Sequence, residues 1–299
     1  MEGPAQHPAS GTRHDLALIC GYGGLPGEIL NGALAAGRSP YLFGIKGEAE
    51  PVIAGHPVEI LSWGQFGHLL DRLAELGIRE VVFAGGIHKR PEMMELKLDW
   101  GAIKALPKIL GFMVGGDNTV LSGLMKLFEG HGISIVGAHQ IAPGLLAGAG
   151  AIAGKRPASR QMENIRLGFE VCKAVGQFDI GQAAIAEAGR VIAIEGVEGT
   201  DEMLSRIVRM REIGRMPVEG KHGVLVKTMK PGQDIRADLP AIGPRTVEGV
   251  LRAGLRGIAI EAGHSIILEK EATLDLARKS GIFIFGASAS DLGKANGNG

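Results

Sequence analysis

Leu16–Cys20 is an apolar run of five residues that stops at Gly21-Tyr22-Gly23-Gly24-Leu25-Pro26-Gly27, and the chain then turns helical from Glu28 to Ala36. Gly37 ends that helix as glycine commonly does, and Tyr41–Ile45 is a second apolar run. A strand, a glycine turn, a helix and a strand in so short a span constrain the fold sharply. Such a unit opens a doubly wound α/β sheet. Glycines let a ligand approach the backbone, and the N-terminus of the helix attracts anions. The dinucleotide fingerprint is broken, because Pro26 stands where its third glycine belongs and Lys46, not an acid, follows the second strand. Nicotinamide chemistry is therefore discounted. A nucleotide or sugar phosphate at this turn and a purely structural turn both stay open.

The alternation continues. Phe66, Leu69, Leu70, Leu73 and Leu76 recur at helical spacing within Gln65–Ile78, and Glu80–Ala84 reads as a strand. That strand runs into Gly85, Gly86, Ile87 and the basic trio His88, Lys89 and Arg90, at the end where parallel sheets bind ligands. Leu98–Met113 reads as a helix bent at Pro107. Asp117 reads as the cap of a helix over Val120–Glu129. Ile133–Val136 is a strand that ends at Gly137, Ala138 and His139, and a lone histidine there is more often structural than a ligand. Ala142–Ser159 is rich in Gly, Ala and Pro without helical periodicity, which places a domain boundary near residue 145.

The second half is again mixed α/β. Arg160–Val175 reads as a helix, and Ala183–Ala186 with Val191–Glu195 as a hairpin turning at Gly189-Arg190. Glu198 opens a helix reaching Arg211, with Thr200 or Asp201 able to cap it. Further strands fall at Val224–Lys227, Gly257–Glu261, His264–Leu268 and Ile282–Phe285, with helices over Val247–Gly254 and from Lys270. Between Val226 and Val247 lies Lys227–Thr246, which mixes two lysines, two arginines and two aspartates with three prolines and two glycines. Lysine and arginine suit a phosphate, and aspartate suits a proton or a magnesium ion. Spacing alone leaves a ligand loop and a solvated turn equally open. Asp179, Glu195, Glu198, Asp201, Asp238 and Glu261 lie near strand ends, as Mg²⁺ ligands or as ordinary cap and turn residues.

Composition narrows the function. Formal net charge is +0 and aromatics are 4%, which removes both the basic field and the stacking platform a nucleic-acid binder needs. Cys20 and Cys172 form no CxxC pattern, and the nine histidines form no HExxH pair. The first fourteen residues lack the apolar core of a signal peptide, and no apolar run reaches the roughly 18 residues of a membrane span.

Gly21–Pro26 (GYGGLP), Phe83–Gly85 (FAG), Arg90-Pro91, Gly137–His139 (GAH), Asp179–Gln182 (DIGQ), Glu198–Leu204 (EGTDEML), Lys227–Gly243 (KTMKPGQDIRADLPAIG) and Glu261–Gly263 (EAG) stand in a characteristic order. In that order they resemble the LpxI-type UDP-2,3-diacylglucosamine pyrophosphatases of lipid A biosynthesis, over residues 16 to about 286. Gly86 and Asn118 depart from the pattern expected of the family.

The resemblance implies an N-terminal Rossmann-like parallel sheet over 15–145, a linker over 146–159 and a C-terminal mixed α/β catalytic domain over 160–290. Substrate would lie in a cleft between the domains, with a disordered tail at 1–14 and a flexible one at 291–299. It implies a Mg²⁺-dependent hydrolase, cytoplasmic and peripheral to the inner membrane through its lipid substrate. A homo-oligomer is compatible with it. Water would attack the β-phosphate, giving UMP and 2,3-diacylglucosamine 1-phosphate, called lipid X.

The critical aspartate of the Arg-x-Asp-Leu-Pro segment maps to Asp238, as catalytic residue and candidate metal ligand. Expected substrate contacts are Gly23, Gly24, Leu25, Gly85, Asp117, His139, Asp179, Gln182, Glu198, Thr200, Lys227, Lys230, Gln233 and Arg236. The alternative is a non-catalytic nucleotide-sugar binding or sensor module on the same turns, with no use for Asp238 or Mg²⁺.

Overall fold

A computed structural model describes residues 13–87, 117–217, 223–236 and 239–293. These fall into two compact α/β units, one of residues up to 114 with Val120–Ile141 and the other of residues 115–119 with Ala142 onward, so the first turn of the helix that starts at Asp117 is grouped with the second unit. The expected helix over Leu98–Met113 and the basic trio His88–Arg90 lie outside the described residues. So do residues 1–12 of the expected N-terminal tail.

In the first unit, β1 (Leu16–Cys20), α1 (Leu25–Ala35) and β2 (Pro40–Ile45) follow one another as the apolar runs require. Next come the small antiparallel pair β3 (Val52–Ile53) and β4 (His56–Pro57), then β5 (Glu59–Leu61), α2 (Phe66–Glu75) and β6 (Glu80–Ala84). The unit closes with α3 (Asp117–Gly130), β7 (Ser134–Ile135) and α4 (Ala138–Ile141). Five strands form one sheet in the order β5-β2-β1-β6-β7, every pair parallel. The central strand β1 is buried along its whole length, which is why it is a continuous apolar run rather than an alternating one. Helix α1 starts at Leu25, three residues before the expected start. Pro26 lies in its first turn, where a proline is preorganised and its missing N–H costs nothing. In α2, Leu69 and Leu73 are buried one turn apart on the core side.

The second unit holds β8 (Gly150–Ala153), α5 (Ser159–Gly176), β9 (Ala183–Glu187), β10 (Arg190–Ile194) and α6 (Gly199–Glu212). It continues with β11 (Val224–Lys227), β12 (Ala241–Ile242), α7 (Pro244–Arg252), β13 (Gly257–Glu261) and β14 (Ile266–Ile267). Helix α8 (Lys270–Lys279), β15 (Phe283–Ala287) and α9 (Ala289–Leu292) complete it. Its main sheet has the order β10-β9-β11-β13-β15-β8. The inner strands β11, β13 and β15 are parallel, while β9, β10 and β8 pair antiparallel.

Side chains alternate between two apolar layers. Leu225, Ile258, Ile260 and Ile284 face α6 and α7 through Met203, Leu204, Ile207, Val247 and Val250. Val224, Val226, Ala259 and Phe285 face α5 through Ile165, Phe169 and Cys172.

Three expectations change here. Residues 146–159 are more than a linker, because β8 within them forms the edge of the second sheet beside β15. A Cβ on Gly286 of β15 would sit 1.8 Å from the Gly148 carbonyl oxygen, so this approach requires glycine. The C-terminal tail cannot start at 291, since Asp291 belongs to α9 and its carboxylate accepts hydrogen bonds from Arg156 and Ser288. The hairpin turns at Ala188 and Gly189, not at Gly189-Arg190. Their φ values of 52° and 74° are both left-handed, the pattern of a two-residue type I′ turn.

Candidate functional site

In the first unit, two glycine turns meet at the carboxyl end of the sheet. Tyr22 N–H donates to Gly86 O at 2.9 Å and Gly86 N–H returns the bond to Tyr22 O at 3.0 Å. A Cβ on Gly21 would lie 2.1 Å from Gly86 O, and one on Gly85 2.5 Å from Tyr22 O. The GYGG and FAGG segments therefore interlock through bare backbone. Gly23, Gly24 and Gly85 are exposed and Leu25 is half-buried, beside the N-terminus of α1. Gly86 leaves its space to the Tyr22 ring, whose Cε1 would be 2.5 Å from an added Cβ. His139 lies half-buried in α4, and Asp117 is the first residue of α3.

In the second unit, the polar residues gather at the carboxyl ends of β11 and β13. Lys227 is the last residue of β11 and is buried between Ala183 of β9 and Ile260 of β13 in the ladder. Its Nζ donates to the Ala241 carbonyl at 3.1 Å. Buried ammonium groups need anionic or carbonyl partners, and among the described residues this carbonyl alone takes up one of its three donors.

Beyond it, Lys230 Nζ lies 2.5 Å from Asp179 Oδ1. Lys230 and Gln233 close a small turn on each other. Lys230 N–H donates to Gln233 Oε1 at 3.1 Å, and Gln233 N–H donates to Lys230 O at 3.2 Å. Arg236 grips Asp234 with Nε to Oδ1 at 3.1 Å and a second nitrogen to Oδ2 at 2.7 Å. Those bonds hold the Asp234 carboxyl below its ordinary range.

A buried acid organises the neighbouring turns. Glu195 Oε2 accepts from Gln182 N–H at 2.9 Å, and Glu195 Oε1 accepts from Thr200 Oγ1 at 2.5 Å. Thr200 thus serves Glu195 instead of capping α6, whose N-cap Glu198 has no side-chain cap bond either. Glu198, the N-cap, pairs with Arg206 at 3.3 Å, about two turns further along α6.

The structure therefore links Asp179 with Lys230, Gln182 with Thr200 through Glu195, and Lys227 with the loop that follows it. Glu198 and Arg236 are engaged with partners outside that set. Asp238 lies outside the described residues. Thr228 is the residue sequence reasoning passed over. It is wholly buried and its hydroxyl donates to Glu261 Oε2. Only the parallel register of β11 with β13 places those two side by side.

The LpxI N-terminal domain matches residues 15–145 and the LpxI C-terminal domain matches residues 148–285. The chain belongs to the LpxI family. A curated relative from Caulobacter vibrioides, UDP-2,3-diacylglucosamine pyrophosphatase LpxI, is 35% identical over 276 residues, 92% of this chain and 98% of the relative. The two LpxI domains divide the chain close to the Ile141/Ala142 boundary between its two compact units.

For this LpxI-family chain the donor set bears directly on metal and thiol chemistry. Among the described residues, no three His, Cys, Asp or Glu side chains group in a way that could hold a metal ion. Asp179, Asp234, Glu195 and Glu261 are each taken up by hydrogen-bond donors of the chain itself. The described carboxylates thus do not fit a resident Mg²⁺ cage. Burial pushes the thiols of Cys20 and Cys172 up to about 12, so neither supplies a thiolate nucleophile near neutral pH. Among the described residues no helix is long and apolar enough to cross a membrane.

Proposed function

We propose that this chain hydrolyses the pyrophosphate bond of UDP-2,3-diacylglucosamine, releasing UMP and 2,3-diacylglucosamine 1-phosphate for lipid A synthesis. One observation carries the reading: the identity to the Caulobacter pyrophosphatase runs through both units and nearly the whole of that relative. The first sheet supports it further. Counted along its own strands, its order is 3-2-1-4-5, which accords with a Rossmann-like nucleotide-binding unit.

The chemistry needs charge neutralised on a diphosphate and a water held in line. Lys227, Lys230 and Arg236 are the cations assigned to the phosphate oxygens, with Gln233 fixing the turn between the last two. Lys230 and Arg236 are paired with Asp179 and Asp234 here, so an incoming diphosphate has to share or displace those carboxylates. Asp238 is assigned to orient or activate the water. Mg²⁺ belongs to the proposal as an ion bound largely by substrate phosphates, the common arrangement for a cation that keeps few protein ligands. The two acyl chains bring the protein to the cytoplasmic face of the inner membrane through its substrate.

The test is incubation of the protein with UDP-2,3-diacylglucosamine and Mg²⁺, followed by detection of UMP. UMP release that stops on chelation and in Asp238→Ala, with substrate still bound by that variant, is the expected result. Binding without UMP release, indifferent to Mg²⁺ and to Asp238, would make the protein a nucleotide-sugar binding module instead.

A further inference from the structure

Thr228 and Glu261 follow directly on the Lys227–Ile260 pair of the parallel β11–β13 ladder, so the register brings them side by side at the sheet's carboxyl edge. The Thr228 side chain is wholly buried, and its hydroxyl donates to Glu261 Oε2. Its backbone N–H donates to Gln182 O at 3.0 Å. Gln182 is itself fixed from the other side by Glu195, which Thr200 also holds. Thr228 is therefore clamped twice, once to each neighbouring strand end. The clamp is also the last one before the chain leaves the sheet, because Met229 and the Lys230–Gln233 turn come next. A hydroxyl given to a carboxylate is a charge-assisted bond and strongly directional. Lys230 and Arg236 lie two and eight residues further on, so an error in direction at Thr228 is carried to both.

We propose that Glu261 is a positioning residue for the hydrolysis, acting through the Thr228 hydroxyl to aim the Lys230–Arg236 segment at the diphosphate. This rests on the pyrophosphatase reading above and adds to it a residue that touches no reacting atom. Small misplacements of aligned groups cost on the order of 100-fold in rate even when the fold survives.

The experiment compares Thr228→Ser, Thr228→Val, Glu261→Ala and the Thr228→Val/Glu261→Ala double variant in the full chain. UMP release is measured alongside amide hydrogen exchange of the peptide covering 228–236. Thr228→Ser keeps the donor and is expected within about threefold of wild type. Thr228→Val and Glu261→Ala are each expected to lower kcat/KM on the order of 100-fold, and the double variant no further, since both remove one coupled contact. Exchange should quicken in 228–236 and stay at the wild-type level across the rest of the sheet.

The proposal is overturned if either single variant keeps its rate within about twofold, or if the losses multiply in the double variant. It is overturned equally if exchange quickens throughout the second unit and Thr228→Ser behaves like Thr228→Val. Should the wild-type protein release no UMP, the functional reading fails by itself. The clamp is then judged on exchange alone: quickening confined to 228–236 upholds it, and unchanged exchange removes it.

Discussion

Lys230 Nζ lies 2.5 Å from Asp179 Oδ1, tying the loop after β11 to the turn after α5, with only 12% and 22% of the two side chains exposed. Asp179 adopts φ of 56°, a left-handed conformation that Asp and Asn tolerate better than other residues with side chains. Asp179→Asn therefore keeps the backbone and removes the charge. It is expected to cost about 1.5 kcal/mol in a urea titration, as the loss of a hydrogen bond to a charged group. Lys230→Met is expected to act chiefly on turnover, lowering kcat/KM by at least about tenfold through lost phosphate contact. Unchanged kcat/KM in Lys230→Met would remove Lys230 from the phosphate-binding set and leave the pair a structural tie.

Arg211 is a stability residue well suited to a clean measurement. It is buried, donating from Nε to Ala253 O at 2.8 Å, to the Pro217 carbonyl, and to Glu187 Oε2 at 2.8 Å. Arg211→Met leaves a nearly buried Glu187 carboxylate and two carbonyls without their donor. The expected loss is about 3 kcal/mol by urea denaturation. Arg211→Lys recovers only part of it, because an ammonium cannot reach three acceptors in the planar fork of a guanidinium. UMP release per folded molecule should not change in either variant, and a selective loss of rate would show that Arg211 reaches the site.

Local order was legible where one strand or helix carries its own signal. Leu16–Cys20 and Glu80–Ala84 are strands over the full apolar runs, and the hairpin of β9 and β10 follows from apolar segments around Gly189. Helix starts at Leu25 and Pro244 were hidden, since proline and glycine there look like turn residues although proline also suits a first helical turn. Edge strand β8 was illegible for a different reason. Gly150–Ala153 is built of small residues, and what makes it a strand is β15, some 130 positions away, through register and the bare backbone at Gly286. The candidate site divides along the same line. Lys227, Lys230, Gln233 and Arg236 are conspicuous in one loop. Glu261 gains meaning only through the β11–β13 register, and Thr200 only because Glu195 claims its hydroxyl.

Gly21 and Gly27 flank the same turn and should respond oppositely to alanine. A Cβ at Gly21 meets Gly86 O at 2.1 Å, so Gly21→Ala forces β1 and β6 apart where the two glycine segments interlock. Overpacking of this kind costs about 1–3 kcal/mol. Gly27 lies within α1, where the nearest atom to an added Cβ is the Ile53 side chain at 3.9 Å. Gly27→Ala should stabilise by about 0.5–1 kcal/mol, the usual gain for alanine inside a helix. Thermal unfolding of both variants checks the pair of signs. Equal, small effects would show that the first unit adjusts at Gly86 and that the interlock is loose.

Asp15, Glu59, Asp234 and Asp291 are all held below their ordinary values, so each contributes to acid stability, and Glu59 and Asp234 offer a test pair with one member in each unit. At Glu59 burial pushes the carboxyl up, but hydrogen bonds from Arg72 and from Tyr41 at 2.6 Å outweigh it and leave the group below its ordinary value of 4.5. At Asp234 the Arg236 guanidinium, by its hydrogen bonds, brings the carboxyl below its ordinary value of 3.8. Both groups bind protons more weakly folded than unfolded. As the pH falls through this region the unfolded state takes up more protons, so stability falls with it. Their contribution is complete above the unfolded range and is lost as the pH drops below about 4.5 and on through the folded values. Urea midpoints should therefore be level between about pH 6 and 7 and decline steeply below about pH 4.5. In Glu59→Gln/Asp234→Asn the midpoint should start lower and the acid decline should be shallower, because both titrations are gone. Parallel declines in the variant and the wild type would mean that neither ion pair survives in solution as drawn.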